Sequence, residues 1–189
     1  MTTVAIVGAG PAGLRAAAAL VQAGLRPVLI DESPRVGGQI YRQPPPPLMR
    51  PPAALYGFEA GKASALFARF AALQGQIDHR PQSLVWQIEG RRLHLLQGDR
   101  ADVLDVDALM LATGATDRVL PFPGWTLPGV YTLGAAQIAL KAQATLIGPR
   151  VVFAGTGPLL YLVAWQYTQA GGQVQAVLDV APPDAPRRA

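Results

Sequence analysis

The residues with the clearest chemical meaning in this chain are glycines near its start. The motif "GAGPAG" places Gly8, Gly10 and Gly13 around Pro11 and Ala12. Gly8 permits a tight turn after a strand, Gly10 lets the backbone approach a pyrophosphate, and Gly13 lets a helix pack closely on the strand. A phosphate then binds at the helix N-terminus, against free N–H groups and the positive end of the dipole. The motif therefore predicts a dinucleotide phosphate site.

An acidic residue follows this motif at the spacing of a dinucleotide site. Asp31 stands 23 residues after Gly8, at the end of the apolar segment "RPVLI". A carboxylate at the end of the second strand accepts hydrogen bonds from the ribose hydroxyls and repels the 2′-phosphate of NADP. Glu32 is the alternative, one residue further on. The spacing predicts an adenosine ribose site and disfavours NADP.

Two later segments add backbone that could contact a long ligand. "RVGGQ" follows the second predicted strand, and its paired glycines would let the chain approach a second part of the cofactor. "LATGA" ends a later strand at the same edge of the sheet. Each segment alone is also typical of an ordinary turn. The residues expected to line the cofactor here are Gly37, Gly38, Gln39, Ala112, Thr113 and Gly114.

A second strand, glycine turn and helix begin near residue 150. "GTGPLL" supplies Gly155 and Gly157 for close approach to a phosphate, and Asp179 ends the next strand. Leu160 stands where a third glycine would pack the helix against the strand, so we expect the two elements to lie farther apart. The pattern is compatible with NAD(H) or ATP, and equally with a structural unit that binds no ligand.

The hydrophobic pattern predicts the elements that hold these residues. A strand at 3–8, an alanine-rich helix at 11–23 and a strand at 26–31 form a βαβ unit, which predicts a parallel sheet. An amphipathic helix at 59–74 precedes a third parallel strand. Short alternating segments between 83 and 107 predict an antiparallel β-meander. The predicted fold class is α/β and Rossmann-like, followed by the first βαβ unit of an inserted second domain.

Composition excludes several classes of function. Hydrophobic residues make up 50% of the chain, which is too much for disorder, and no uninterrupted apolar run reaches the roughly 18 residues of a membrane span. The absence of cysteine removes thiolate metal sites and redox dithiols, and the two histidines are too far apart to predict a metal site. The net charge of +4 is spread along the chain without the basic patch of a nucleic-acid binder. The start "MTTVAIVGAG" lacks a basic n-region, so the simplest expectation is a cytoplasmic protein.

Taken together, the motifs resemble the flavoproteins that carry two dinucleotide-binding folds. "GAGPAG", the acid at Asp31, the glycine pair and "LATGA" occur in that family's order. The longer strings "DESPRVGGQIYRQP" and "LATGATDRVLPFPGWTLPGVYTLGAAQIALKAQ" resemble one branch, which contains the FAD-binding subunits of opine oxidase, hydrogen cyanide synthase and the proline and hydroxyproline dehydrogenases. The resemblance covers residues 3–180.

The resemblance implies FAD in the first fold and electron transfer as the role of the chain. It also implies a partner flavoprotein subunit that oxidises an amine or amino acid. No residue stands out in the sequence as an acid–base catalyst or nucleophile, which agrees with a cofactor that carries the chemistry. The chain ends inside the inserted NAD-type unit, so we expect a C-terminally truncated form whose activity alone is in doubt.

The predicted domains follow from this alignment of motifs. The apolar residues expected to be partly exposed in the incomplete unit are Val151, Val152, Phe153, Leu159, Leu162, Val163 and Trp165. The expected divisions are an FAD-binding domain at 1–120 with a proline-rich loop at 43–52 and the meander at 83–107, a connector and helix at 121–146, an incomplete nucleotide-binding unit at 147–180, and a disordered tail at 181–189.

Three other functions stay open on the residues alone. The chain could be a nucleotide-binding module without catalysis, which would copurify with ATP or ADP but without flavin. It could be an NADH-dependent flavin reductase, although a disulfide reductase is excluded because the sequence has no cysteine. It could also be an inactive fragment that folds poorly and lacks a core protected from hydrogen exchange.

Overall fold

A computed structural model describes residues 2–182; the tail predicted at 181–189 therefore lies outside the described residues, apart from Ala181 and Pro182. The helices and strands are, in chain order, β1 (Val4–Val7), α1 (Pro11–Gln22), β2 (Val28–Ile30), α2 (Pro52–Tyr56), α3 (Ala60–Leu73), β3 (Asp78–Arg80), β4 (Leu84–Glu89), β5 (Arg92–Gln97), β6 (Arg100–Asp105), β7 (Ala108–Leu111), α4 (Leu133–Gln137), β8 (Arg150–Gly155), α5 (Pro158–Gln169) and β9 (Gln173–Asp179).

The first sheet is parallel, as the βαβ spacing predicts. Its four strands lie in the order β3-β2-β1-β7. Ala5 pairs with Val28 of β2 on one side and with Leu109 of β7 on the other. The central strands β1 and β2 consist of apolar residues because parallel strands are covered on both faces. The carboxyl ends of β1, β2 and β7 therefore meet at one edge of this sheet.

The predicted β-meander is confirmed. Strands β4, β5 and β6 form an antiparallel sheet in sequence order. Gly90 and Gly98 take positive φ angles in the two turns that join them. The meander supplies one side of a core whose buried residues are Ala5, Val28, Ile30, Leu93, Leu95 and Val106.

The second βαβ unit also forms as predicted. Strands β8 and β9 pair in parallel, with Phe153 opposite Val177, and α5 connects them. Within residues 2–182, the sheet of this unit contains these two strands and no third. The α/β fold class is confirmed for both parts of the chain.

The expected exposure of the second unit is wrong for two residues. Phe153 and Val163 are buried, whereas Val152, Leu159 and Trp165 are exposed as expected. Phe153 and Val163 share a core with Ala136 and Leu140, which belong to the helical segment before β8. That segment is α4 followed by one π-helical turn at Ile138–Ala142. The sequence predicted a connector with a helix here and did not indicate that it covers the sheet.

The chain divides into two compact units that do not follow simple sequence order. Among the described residues, the first contains 2–43 and 61–115, and the second contains 44–60 and 116–182. The sequence did not indicate that residues 44–60 belong with the second unit. In this segment Gly57 has a φ of 56°, and a Cβ there would lie 2.6 Å from the Trp165 ring of α5.

The proline-rich loop contains more structure than a proline count predicts. Pro46–Leu48 forms one turn of 3₁₀ helix, and Pro52 begins α2. Proline suits the first position of a helix because its N–H would have no partner there and its φ is already helical. High proline density therefore excludes helix interiors, while helix starts remain possible.

Neither a membrane span nor a metal cluster occurs in the part of the chain that the structure describes. No helix between residues 2 and 182 is long and apolar enough to cross a bilayer. Over the same residues, no three His, Asp or Glu side chains are grouped so that they could hold a metal ion.

Candidate functional site

The three segments predicted to form the first site come together at the carboxyl end of β1. Ala112 donates its backbone N–H to Val7 O at 2.8 Å, which continues the pairing of β7 with β1. Gly37 donates its N–H to Ala9 O at 2.9 Å. The "GG" and "LATGA" segments thus both contact the turn after β1, although they are distant in sequence.

Gly8 and Gly13 are required by packing within the chain. Gly8 has a φ of 109°, and a Cβ there would lie 2.3 Å from Ala112 O. A Cβ on Gly13 would lie 1.8 Å from Gly8 O, so α1 packs directly on the turn. Both distances are far below van der Waals contact. The geometry agrees with the helix-packing role expected for Gly13.

Gly10 differs because the protein itself leaves room for a side chain there. Its φ of −74° suits any residue, and a Cβ would meet Gly38 Cα at an ordinary 3.6 Å. Gly38, by contrast, has a φ of 57° and would place a Cβ 2.8 Å from Gly10 Cα. The backbones of Gly10 and Gly38 therefore lie against each other, and the space beside Gly10 stays open to a close ligand because neither residue carries a side chain.

The remaining predicted residues belong to the same three segments. Pro11 is the first residue of α1, and Ala12 is exposed beside it. Thr113 is exposed, and a Cβ on Gly114 would find no atom within 4 Å, so this side is open. Gln39 donates its side-chain amide to Ala115 O. This bond ties the "GG" segment to "LATGA", a role that the sequence did not indicate.

Asp31 holds the glycine turn from the end of β2. Its Oδ2 accepts a hydrogen bond from the Ala9 N–H at 2.5 Å, and its Oδ1 accepts from the Ser33 N–H at 2.7 Å. An ionised carboxylate has about four acceptor positions, so both oxygens keep capacity for ribose hydroxyls. Glu32, the alternative acid, is exposed. The structure therefore places Asp31 at the turn and Glu32 in solvent.

His79 is a feature of this site that sequence reasoning considered only as a metal ligand. It lies in the middle of β3, opposite Leu29 of β2, with its ring edge-on to Phe70 at 5.3 Å. Desolvation lowers the pKa of His79, although the carboxylates of Asp31 and Asp78 oppose the shift. The imidazole is therefore neutral at neutral pH.

The second glycine turn differs from the first in how its helix packs. Gly157 precedes α5 with a φ of 88°. Leu160 is 2% exposed, and a Cβ on Gly155 would lie 3.7 Å from Leu160 Cδ1. The leucine side chain thus fills the space between helix and turn. Asp179 is at the end of β9 as predicted, and its Oδ2 accepts a hydrogen bond from the Tyr161 hydroxyl at 2.5 Å.

Two parallel βαβ units with glycine turns and terminal acids define the class of this protein. The family described as pyridine nucleotide-disulphide oxidoreductase matches residues 2–182, and the chain belongs to it. The resemblance predicted from the motifs is thereby confirmed. The sequence contains no cysteine, so its own residues cannot perform the disulphide chemistry in the family's name.

The chain is also similar in sequence to individual proteins. The chain is 44% identical over 188 residues to the A subunit of opine oxidase from Rhizobium meliloti, covering 94% of this chain and 35% of that protein. It is 41% identical over 178 residues to the HcnB subunit of hydrogen cyanide synthase from Pseudomonas aeruginosa, covering 92% and 38%. The chain thus spans little more than a third of the length of these relatives.

A solved structure supports the same fold. The L-proline dehydrogenase of P. horikoshii superimposes with a TM-score of 0.75 at 23% identity, over 99% of this chain and 37% of that one. This likeness establishes the shared fold, which matches the α/β prediction.

Proposed function

We propose that this chain is the FAD-binding, electron-transfer part of an oxidoreductase of the opine oxidase type. The observation that supports this most directly is Gly10, where the protein has room for a Cβ and the close approach of a pyrophosphate accounts for a glycine. Gly10 is the N-cap of α1, and its neighbour Ala9 donates its N–H to Asp31. The named relatives are oxidase and synthase subunits.

The residues fit an FAD in two parts. The start of α1 offers free N–H groups to the pyrophosphate, and Asp31 offers its carboxylate to the adenosine ribose. FAD, when bound, supplies the electron-transfer chemistry, and the chain positions it. The residues proposed to hold the cofactor are Gly8, Gly10, Pro11, Ala12, Gly13, Asp31, Glu32, Gly37, Gly38, Gln39, Ala112, Thr113 and Gly114.

We propose a weaker nucleotide site, for NAD(H) or ATP, at Gly155, Gly157 and Asp179. The parallel βαβ unit and the family match support it.

We also propose that a partner subunit oxidises the amine or amino acid, because the relatives are named as subunits, among them the alpha subunit of sarcosine oxidase from Rhizobium meliloti. Cytoplasmic location stays a prediction, which cell fractionation checks.

Titration of the purified chain with FAD tests the main proposal. We expect the visible absorbance band of bound flavin and an increase in melting temperature with FAD concentration, since a ligand of the folded state stabilises it by mass action. Asp31→Asn removes a charged acceptor and should weaken FAD binding about ten- to a hundredfold. Asp99→Asn makes the same charge change at an exposed turn and serves as the control.

Other outcomes of these experiments would count against the proposal. Absence of FAD binding, or equal FAD affinity of Asp31→Asn and Asp99→Asn, would contradict the proposal. Copurified ATP or ADP without flavin would favour a nucleotide-binding module without catalysis.

A further inference from the structure

Tyr161 connects the helix of the second glycine turn to the acid of that turn. Its hydroxyl donates to Asp179 Oδ2 at 2.5 Å, from the first turn of α5 to the end of β9. The other oxygen of the carboxylate, Oδ1, accepts from the Ala181 N–H at 2.9 Å. Both oxygens of Asp179 therefore already have a donor from the protein.

The first turn has a leucine at the corresponding position. When Gly8 is matched with Gly155, Leu14 corresponds to Tyr161. Leu14 is buried, whereas Tyr161 is 51% exposed. The buried residues of α1 include both Gly13 and Leu14, while those of α5 include Leu160 but not Tyr161. The two helices thus bury different residues at this one position, and the second helix has there an exposed polar side chain that reaches the acid.

The donors of the two acids also differ in kind. Asp31 accepts from backbone N–H groups, one of them in the glycine turn itself. These groups cannot leave without unfolding the turn. Asp179 accepts from a tyrosine side chain on the surface, which can rotate away. A side-chain donor in this position is a removable substitute for a ligand hydroxyl.

We propose that Tyr161 controls access of a nucleotide ribose to the second turn by occupying the carboxylate that would bind it. This inference rests on the proposed function, because it takes the second turn as a nucleotide site. A ribose presents two neighbouring hydroxyls as donors, and the acid at the end of the second strand accepts them. While the phenol hydroxyl donates to Oδ2, it takes one of the acceptor positions that the two ribose hydroxyls would use, so Tyr161 competes with a ribose and lowers nucleotide affinity at this turn.

Binding of NADH to the FAD-saturated chain tests this inference. The backbone amide signals of Gly157 and Val180 in two-dimensional NMR spectra report on the second turn, and those of Gly10 and Ser33 report on the first. We expect Tyr161→Phe to bind NADH about three- to tenfold more tightly at the second turn, the range of one net hydrogen bond. In an Asp179→Asn background the same substitution should have no effect, since the carboxylate is gone.

The matched control is Tyr131→Phe, which removes a hydroxyl from another exposed tyrosine of the same unit. It should leave NADH affinity unchanged. Equal or weaker binding by Tyr161→Phe, or no NADH-dependent shift at Gly157 in any variant, would overturn the inference. FAD binding, followed by flavin absorbance, is scored separately, so failure at the second turn is distinct from failure of the proposed function.

Discussion

The two glycine turns of this chain share the order strand, glycine turn, helix and strand, and they differ in how the helix packs on the turn. In the first, α1 lies so close that a Cβ on Gly13 would be 1.8 Å from Gly8 O. In the second, Leu160 takes that position and is buried in the core of its unit. The same strand, turn and helix therefore form with direct backbone packing in one case and with a side chain between the elements in the other.

This difference separates two requirements that a glycine motif combines. The first two glycines form the turn and let a phosphate approach it, while the third sets the distance from helix to strand. The second turn has the first two glycines but has Leu160 in place of the third, and its βαβ unit still forms. A glycine motif thus predicts the fold even when it is incomplete, but an incomplete motif is weaker evidence for a ligand.

The largest expected loss of stability comes from adding a methyl group where α1 packs directly on the first glycine turn. Gly13→Ala places a methyl group against the backbone carbonyl of Gly8 in the glycine turn, so the turn or α1 must shift. We expect a loss of about 4 kcal/mol in unfolding free energy, at the extreme of single substitutions, and loss of FAD binding. Denaturant unfolding measures the first effect and flavin absorbance the second. Gly61→Ala is the control, since its Cβ meets no atom within 4 Å and alanine favours helix. A stable Gly13→Ala variant would contradict the comparison.

A smaller loss of stability is expected from truncating the side chain at the corresponding position of the second turn. Leu160→Ala removes a side chain that is 2% exposed and leaves a cavity, at an expected cost of about 3 kcal/mol. Leu159→Ala, its exposed neighbour at 60%, should change stability by less than about 0.5 kcal/mol. Hydrogen exchange of amides in α5 locates the effect in the second unit, and FAD binding should be retained. Equal effects of the two substitutions would show that Leu160 is not a core residue.

The third prediction compares how much Asp31 and Asp179 contribute to the free energy of unfolding. Asp31→Ala leaves the buried Ala9 N–H without its acceptor, which costs about 1–3 kcal/mol. Asp179→Ala removes an exposed acceptor and should cost less than about 0.5 kcal/mol. Thermal unfolding of both variants without nucleotide measures the difference. If Asp179→Ala were the more damaging, the turns would not differ as described.

The smallest effect is a pH dependence specific to the first unit. Burial lowers the pKa of His79 below the ordinary 6.5, so the unfolded chain binds a proton more readily than the folded chain. Stability should therefore fall as the pH drops through about 6.5 and level off below the folded pKa. His79→Gln should show a shallower decrease in melting temperature between pH 7 and pH 5. An unchanged slope would mean that His79 does not contribute.

The sequence predicted the parts of the structure that depend on local pattern. The order of β1, α1 and β2, the β-meander and the second βαβ unit follow from hydrophobic periodicity and glycine spacing. Both terminal acids, Asp31 and Asp179, lie where spacing placed them. Such features are specified within about 30 residues, so one sequence is enough to find them.

The features that sequence missed depend on contacts between distant segments. Phe153 is buried in a core that includes Leu140 of the π-helical turn at Ile138–Ala142, whose packing no local pattern indicates. The Gln39 amide finds Ala115 O only after β7 has paired with β1. The Tyr161 hydroxyl, on the first turn of α5, meets the Asp179 carboxylate only once β9 has paired with β8. In each case tertiary packing decides the partner.

The path of the chain between its two units has a consequence for dissecting this protein. Residues 44–60 belong with residues 116–182, while the stretch between them belongs with the first 43 residues. The polypeptide therefore passes from one unit to the other three times. No single cut in the backbone releases either unit whole: cleavage after Ala115 leaves α2 on the wrong fragment. An isolated second unit would need residues 44–60 joined to residue 116 by a new linker, which makes an internal deletion a better route to it than truncation.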